Sequence, residues 1–222
     1  MLVPGCGTGR LAFDACLAGY TAQGSDFSLQ MLFASNMMLN TGAAAGEWTI
    51  HPFIHDSSNH LTAADMLRGV AVPDVAPGAA FAAARPHGAD FSMAGGDFAS
   101  TFARPSQRGA WDAILSVFFL DTAPVLHEYL DAMHHALRPG GVLINFGPLL
   151  WHWQAAADDG GCDDDRHERS LELPYEDVAA ALAATGFRVV KEVRGLETTY
   201  AANSKSMQRT VFSCVLTVCE RL

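Results

Sequence analysis

Basic residues are scarce in this chain. Lys and Arg total 14 against 24 acidic residues, a formal net charge of −10, which is the wrong sign for a protein that holds nucleic acid mainly through its phosphates. No nucleic-acid partner is expected, and a small or locally recognised substrate fits better. Paired cysteines are missing too. The five present, Cys6, Cys16, Cys162, Cys214 and Cys219, are odd in number and contain no Cys-x-x-Cys, so neither a disulfide framework nor a zinc site is expected, and a reducing compartment is. The longest strongly apolar run, Ala113 to Leu120, falls far short of the ~20 residues that a membrane helix needs. No basic-then-apolar leader precedes Pro4. The expectation is a soluble intracellular protein, without a membrane partner, in the cytoplasm with the nucleus as a second compartment.

What is present is apolar. A chain of 222 residues, 50% of them hydrophobic, fills one α/β domain and is too short for two of ordinary size. A single domain over 1–222 is expected, of unknown oligomeric state. Met1-Leu-Val-Pro4 runs into Gly5-Cys-Gly-Thr-Gly9, after which Leu11, Ala12, Ala15 and Cys16 recur at helical spacing. That reads as strand, tight turn, helix. Tyr20 to Gly24 is a short strand candidate ending at Ser25-Asp26, and Ser28 to Asn40 a helix with Ser28 as its N-cap. Residues 42–87 hold four of the 10 prolines and many small residues and show no clear alternation, so an irregular insertion is expected there. Phe91 to Ala94 and the run Trp111 to Leu120 read as strands, the second suited to burial on both faces. His127 to Leu137 reads as a helix, Arg138-Pro-Gly-Gly141 as its break, and Val142 to Phe146 as a further strand.

Beyond an acidic, glycine-containing stretch, Tyr175 to Thr185 is an alanine-rich helix closed by Gly186, the position where a left-handed residue is usual. Phe187 to Val193 and Thr210 to Cys219 are both β-like with no helix between them, which predicts an antiparallel pair at the sheet edge. The sum is a Rossmann-like α/β fold: a doubly wound, mostly parallel seven-stranded sheet with an antiparallel C-terminal hairpin.

In such a sheet ligands bind beyond the carboxyl ends of the strands, beside the first one. Gly5, Gly7 and Gly9 let the backbone turn sharply and approach a ligand closely. Their spacing is G-x-G-x-G followed by Arg10, so the dinucleotide fingerprint G-x-G-x-x-G is not met. Asp26, ending the second strand, can accept from both hydroxyls of a ribose. Asp97 beside Phe98, ending the third, suits an adenine, with an acceptor for its amine and a ring for its face. Each feature alone is also readable as a plain turn, a cap or a solvated acid. Their order at consecutive strand ends points to a nucleoside.

Several blocks go further. Leu2-Val-Pro-Gly-Cys-Gly-Thr-Gly-Arg-Leu-Ala12, Gly24-Ser-Asp-Phe-Ser28, Gly96-Asp-Phe98 and Leu137-Arg-Pro-Gly-Gly141 resemble the motif series of class I methyltransferases. More narrowly, Met31-Leu-Phe-Ala-Ser-Asn36, Phe53-Ile-His55, Phe118-Phe-Leu-Asp-Thr-Ala123, Asn145-Phe-Gly-Pro-Leu-Leu-Trp-His152 and Leu173-Pro-Tyr-Glu-Asp177 resemble the carnosine N-methyltransferase family. The resemblance implies S-adenosylmethionine as cofactor and methyl transfer to an imidazole nitrogen of carnosine or a related His-containing dipeptide, giving anserine-type products. It places cofactor contacts on Gly5, Asp26, Asp97, Phe98 and Val117, and acceptor contacts on Asp121 and His152. Two departures stand out. The strand at Thr210-Val-Phe212 lacks the tyrosines that usually help hold the dipeptide, and the helices that precede the first strand in family members are not supplied here.

Methyl transfer from a sulfonium is an in-line displacement, so positioning of a neutral imidazole is the main task. Asp121, accepting the ring's far N–H, would fix the tautomer and stabilise the developing imidazolium. A rival role for Asp121 is to cap the helix that follows, since Asp121-Thr-Ala-Pro is good capping chemistry. His152, between Trp151 and Trp153, is expected to orient the acceptor, with Tyr200, Tyr175 and Phe212 as candidate walls or plain core aromatics. His51, His55 and His60 give no recognised zinc spacing, and the acidic run 158–165 lacks the calcium-loop pattern, so no metal site is expected. Two other classes compete: a nicotinamide-dependent reductase, disfavoured by the glycine spacing, and a non-catalytic or truncated S-adenosylmethionine-binding domain. A methyltransferase for another small acceptor is the nearest variant.

Overall fold

The structure is a computed structural model that describes residues 1–84, 88–154 and 166–222. Among these, seven strands form one sheet in the order β5-β2-β1-β6-β7-β9-β8. In chain order they are β1 (Leu2–Pro4), β2 (Ala22–Asp26), β5 (Phe91–Gly95), β6 (Trp111–Val117), β7 (Leu137–Gly147), β8 (Phe187–Thr198) and β9 (Phe212–Arg221). Neighbours from β5 to β7 run parallel, while β9 is antiparallel to both β7 and β8. The chain moves outward from β1 through β2 to β5 and then returns to the other side of β1 as β6. The order therefore reverses at the β1/β6 boundary, the point at which an open parallel sheet leaves a crevice.

The elements follow from local sequence. Helix α1 (Arg10–Leu17) buries Ala12, Phe13 and Cys16, which recur at helical spacing. Helix α2 (Leu29–Asn40) starts where expected, with the Ser28 hydroxyl accepting from the Met31 amide. Helices α5 (Phe98–Phe102), α6 (Leu126–Ala136) and α8 (Tyr175–Thr185) cover one face of the sheet, over a core that includes Leu2, Ile114, Leu130, Met133, Leu143 and Leu182. Gly186 closes α8 at φ 103°, as its position predicts. The opposite face is closed by α1 over Val3 and Ala22.

The segment 42–87 differs from its expectation. It carries the small antiparallel pair β3 (Trp48–Ile50) and β4 (Val70–Val72), the short helix α3 (Ala63–Met66), and α4 (Pro77–Ala84). From α4, Phe81 packs edge-on to Phe13 at 4.9 Å and lies 5.5 Å from Phe91, so this segment supplies part of the sheet's second layer. Three-residue strands are too short to show an alternation, and an alanine-rich helix with apolar residues all round shows no stripe. The run Trp111 to Leu120 also ends early as a strand: after Val117 the chain turns, with Phe118 at φ 50° and a 3₁₀ turn over Leu120–Thr122. The helix before Arg138-Pro-Gly-Gly141 ends at Ala136, and that stretch lies inside β7, bulging between Leu137, opposite Trp111, and Val142, opposite Ala113. Cys162 and the acidic run 158–165 lie outside the described residues. Among the described residues no helix is long and apolar enough to cross a membrane, and no group of His, Cys, Asp and Glu is arranged to hold a metal ion.

Candidate active site

A cleft of about 500 Å³ opens at the β1/β6 boundary. Its glycine-loop end is built from three strand exits. Beyond β1, Gly5, Gly7 and Gly9 stand at φ 59°, 58° and 94°, a region only glycine enters without cost. A side chain on Gly5 would place its Cβ 2.3 Å from the Phe119 ring, whereas one on Gly7 would meet nothing within 4 Å. Gly5 thus makes room for the core beneath the loop, and Gly7 leaves bare backbone above it.

Asp26, at the end of β2, holds this loop in place. Its Oδ2 accepts from the Gly7 amide at 2.8 Å and its Oδ1 from the Ser28 amide at 2.8 Å. Each oxygen keeps a further lone pair for a ligand hydroxyl. The N-cap of α2 is Ser28, so the capping alternative for Asp26 does not apply. Asp97 does cap a helix, its Oδ1 accepting from the Ser100 amide at 2.8 Å at the start of α5. Phe98 borders the cleft but is only 4% exposed, with Phe102, Phe119 and Tyr129 all 5.1–5.2 Å away. The flat ring face expected of Phe98 is therefore taken up by the core.

The opposite end is formed by the exits of β6 and β7. Phe118, although bulky, adopts a left-handed conformation that costs of the order of 1–3 kcal/mol and persists only where the surroundings impose it. Its amide donates to the Phe146 carbonyl at 2.8 Å, and its ring contacts Phe146, Tyr200 and Phe212 at 6.0, 5.1 and 5.7 Å. Tyr200 and His152 both line the cleft, while Phe212 stands one layer back.

Asp121 is 2% exposed and sits behind that wall. Its Oδ2 accepts from the Leu150 amide at 2.8 Å, its carbonyl accepts from the His152 amide at 3.0 Å, and the Thr122 carbonyl accepts from the Trp153 indole at 2.8 Å. These three bonds zip the turn after β6 to the stretch after β7 and so deliver His152 and Trp153 to the cleft. They also overturn the capping alternative, because α6 is capped at Val125 without any side-chain bond.

Of the expected site residues, then, Gly5, Asp26, Asp97, Phe98, His152 and Tyr200 border one cleft. Gly7 and Gly9 shape its loop, and Val117 ends β6 just before the turn that enters it. Tyr175 is elsewhere, its hydroxyl bonded to Glu192 and Thr217. Sequence reasoning missed Phe27, Phe118, Thr122, Tyr129, Trp153 and Arg166, all on the wall. Burial pushes the Tyr129 phenol up, so it remains a neutral donor. Cys6, inside the glycine loop, is pushed up to about 12 by burial and then by Asp26, which favours the thiol over the thiolate.

The residues present fit a nucleoside: an open glycine cradle, an acid with further lone pairs at the second strand exit, and an acceptor at the third. Comparison with known proteins narrows this. The profile of the carnosine N-methyltransferases matches residues 1–221. The chain belongs to that family. It is 38% identical over 218 residues to the carnosine N-methyltransferase of Mus musculus, covering 98% of this chain and 50% of that protein. The Schizosaccharomyces pombe carnosine N-methyltransferase is 33% identical over 219 residues, covering 99% of this chain and 57% of that protein. The chain thus spans about half the length of the curated relatives it matches. Among solved structures, an S-adenosylmethionine-dependent methyltransferase of Methanosarcina mazei superposes with a TM-score of 0.57 at 10% identity, over 100% of this chain and 91% of the other. That likeness establishes the fold.

Proposed function

We propose that this member of the carnosine N-methyltransferase family binds S-adenosylmethionine at the glycine-loop end of the cleft and methylates an imidazole nitrogen of carnosine or a related His-containing dipeptide. The observation that carries this reading is the convergence of Gly5, Asp26 and Asp97 with His152 and Tyr200 on one cleft of about 500 Å³. Bound there, S-adenosylmethionine supplies an electrophilic methyl group carried on a sulfonium.

The chain's own residues do the positioning. Asp26 accepts the ribose hydroxyls with the lone pairs left by Gly7 and Ser28, and Asp97 accepts from the adenine amine. Asp121 keeps one oxygen on the Leu150 amide and offers the other to an imidazole N–H, fixing the tautomer whose second nitrogen has a free lone pair. The negative charge also stabilises the ring as it becomes cationic. His152 and the Phe118–Tyr200 stack hold the acceptor, and the surrounding aromatic wall excludes water. Acidic balance argues against a nucleic-acid substrate. The free thiols of Cys6, Cys16, Cys214 and Cys219 suit a reducing compartment, which we take to be the cytoplasm and secondarily the nucleus.

Calorimetry with S-adenosylhomocysteine and NADH, followed by transfer of labelled methyl to a panel of His-containing peptides and small imidazoles, tests the reading. Binding of S-adenosylhomocysteine alone and labelling of carnosine is the expected result. Binding of NADH, or labelling confined to compounds without an imidazole, overturns it.

A further inference from the structure

Helix α2 buries a single side chain, Ser35, which is 1% exposed. A helix laid against a sheet turns an apolar stripe inward, yet here the buried position is a serine, and its hydroxyl has no hydrogen-bond partner among the described residues. A buried polar group left unpaired is costly and uncommon enough to need a reason. Ser35 also borders a second cavity of about 500 Å³, enclosed by α2, α4 and β5, the outermost strand of the sheet. Leu32, Leu39, Phe81, Phe91 and Met93 give it apolar walls, the two phenyl rings lying 5.5 Å apart with their planes inclined at 35°. Asn36 and Asn40 add polar edges and bond to each other at 2.7 Å. Its volume is that of a small-molecule site, and among the described residues it shares no lining residue with the candidate active site.

This cavity backs onto the glycine loop. The Met93 sulfur lies 3.1 Å from the place a Cβ on Gly9 would take, 2.6 Å from that on Gly24, and 4.0 Å from the Cys6 Sγ. The Ser35 Oγ is 3.5 Å from the same Gly9 position. Met93 and Ser35 therefore touch the cavity on one side and the loop on the other. A methionine has three rotatable bonds and moves readily to admit a ligand, but the close packing between it and the loop passes such a movement on.

We infer that this cavity is a second ligand site, taking a small neutral aromatic molecule that carries a hydroxyl, and that its occupancy is coupled to cofactor binding through Met93. The ring packs on Phe81, Phe91 and the Met93 thioether, and the hydroxyl supplies the bond that Ser35 lacks. The same ring without a hydroxyl leaves that orphan in place. The site stands independently of the proposed function, whereas the coupling rests on the reading of the glycine loop as the cofactor cradle.

Phenol and toluene are titrated into the full chain and its Ser35→Ala variant, with thermal melts to show that both are folded. Met93 is followed by NMR through an isotopically labelled methyl group, assigned with Met93→Leu, and S-adenosylhomocysteine affinity is measured by calorimetry with and without phenol. Phenol should shift the Met93 resonance and bind the wild type about tenfold more tightly than toluene, the scale of one hydrogen bond. It should also change S-adenosylhomocysteine affinity by roughly fivefold, and S-adenosylhomocysteine should change phenol affinity by the same factor. Ser35→Ala loses only an unpaired hydroxyl, so it should melt no lower than the wild type while the preference for phenol and its effect on S-adenosylhomocysteine both disappear. An unmoved Met93 resonance at saturating phenol overturns the site. So does a preference that survives in Ser35→Ala, since the probe is then held elsewhere, as on the aromatic wall of the cleft. Phenol bound at Ser35 with S-adenosylhomocysteine affinity unchanged overturns the coupling. Wild-type protein that binds phenol at Ser35 but no S-adenosylhomocysteine overturns the cradle reading, and the coupling with it, while the site holds.

Discussion

The carboxylate of Asp121 accepts the Leu150 amide at 2.8 Å, across 29 residues of sequence and between the exits of two adjacent strands. One oxygen therefore has a structural duty, and the proposed role in acceptor binding falls to the other. Asp121→Asn separates the two, because its amide oxygen can keep the Leu150 bond while its NH₂ group stands where an acceptor is needed. Unfolding free energy should change by less than ~1 kcal/mol while kcat with carnosine falls by ~100-fold or more. Asp121→Ala should also lose ~1–3 kcal/mol, since the Leu150 amide is then left without a partner. Denaturant unfolding alongside turnover checks both; near-native turnover in the Asn variant would remove Asp121 from acceptor binding.

Gly5 and Gly7 share a left-handed conformation but not a neighbourhood, which predicts opposite outcomes for the same substitution. In Gly5→Ala the new Cβ would stand 2.3 Å from the Phe119 ring, so the loop and the core beneath it must shift. The expected result is a lowered melting temperature before any ligand is added. In Gly7→Ala nothing lies within 4 Å of the new Cβ, leaving mainly the ~1–2 kcal/mol cost of a left-handed alanine. Affinity for S-adenosylhomocysteine should then fall by tenfold or more through lost backbone approach. Gly7→Ala with native affinity would remove Gly7 from the cradle.

Much of this cleft is legible in the sequence because its glycine-loop end is made of local features. A glycine loop after β1, an acid closing β2 and an acid opening α5 each declare themselves within a few residues, and the strand order aligns them. The opposite end, formed by the exits of β6 and β7, is assembled differently. The rival reading of Asp121 as a helix cap rests on a local pattern, whereas its amide partner Leu150 lies beyond the next strand. Phe118 looks like the continuation of a buried strand, since nothing in a run of apolar residues signals a left-handed turn. Arg166 lies over both Phe27 and Trp153, which come from separate segments of the chain, a juxtaposition no spacing encodes. The segment 42–87 was opaque for a further reason: its strands are too short, and its helix α4 too uniformly apolar, to carry a period.

Cys6 lies in the loop that a ligand would cover, so its reactivity reports on that loop. Burial and the nearby Asp26 push its thiol from the ordinary 9.0 up to about 12, which at pH 8 reduces the thiolate fraction by ~1000-fold. Iodoacetamide labelling of Cys6 in the folded protein, followed by mass spectrometry of the digested chain, should be slower than in urea by at least that factor. Labelling should go on rising about tenfold per pH unit beyond pH 9 instead of levelling off there. Rapid modification at pH 8 would show that the loop opens and that the thiol is not held against Asp26.

Tyr200 is 66% exposed, yet it stacks on Phe118 at 5.1 Å with 24° between the ring planes. So little of it is buried that its removal should scarcely affect folding, because an aromatic pair of this kind contributes ~0.5–1.5 kcal/mol at most. If the ring is a wall for the acceptor, Tyr200→Ala should raise the KM for carnosine by ~3–10-fold, leave S-adenosylhomocysteine affinity unchanged, and alter kcat much less than KM. Tyr200→Phe then decides which part of the side chain matters. The phenyl ring preserves the stack on Phe118 and should restore the wild-type KM, whereas a hydroxyl that bonds the dipeptide would leave the Phe variant as impaired as the Ala variant. Equal KM values in all three proteins would show that Tyr200 merely shields Phe118 from solvent, and the acceptor wall would then rest on His152 and Trp153.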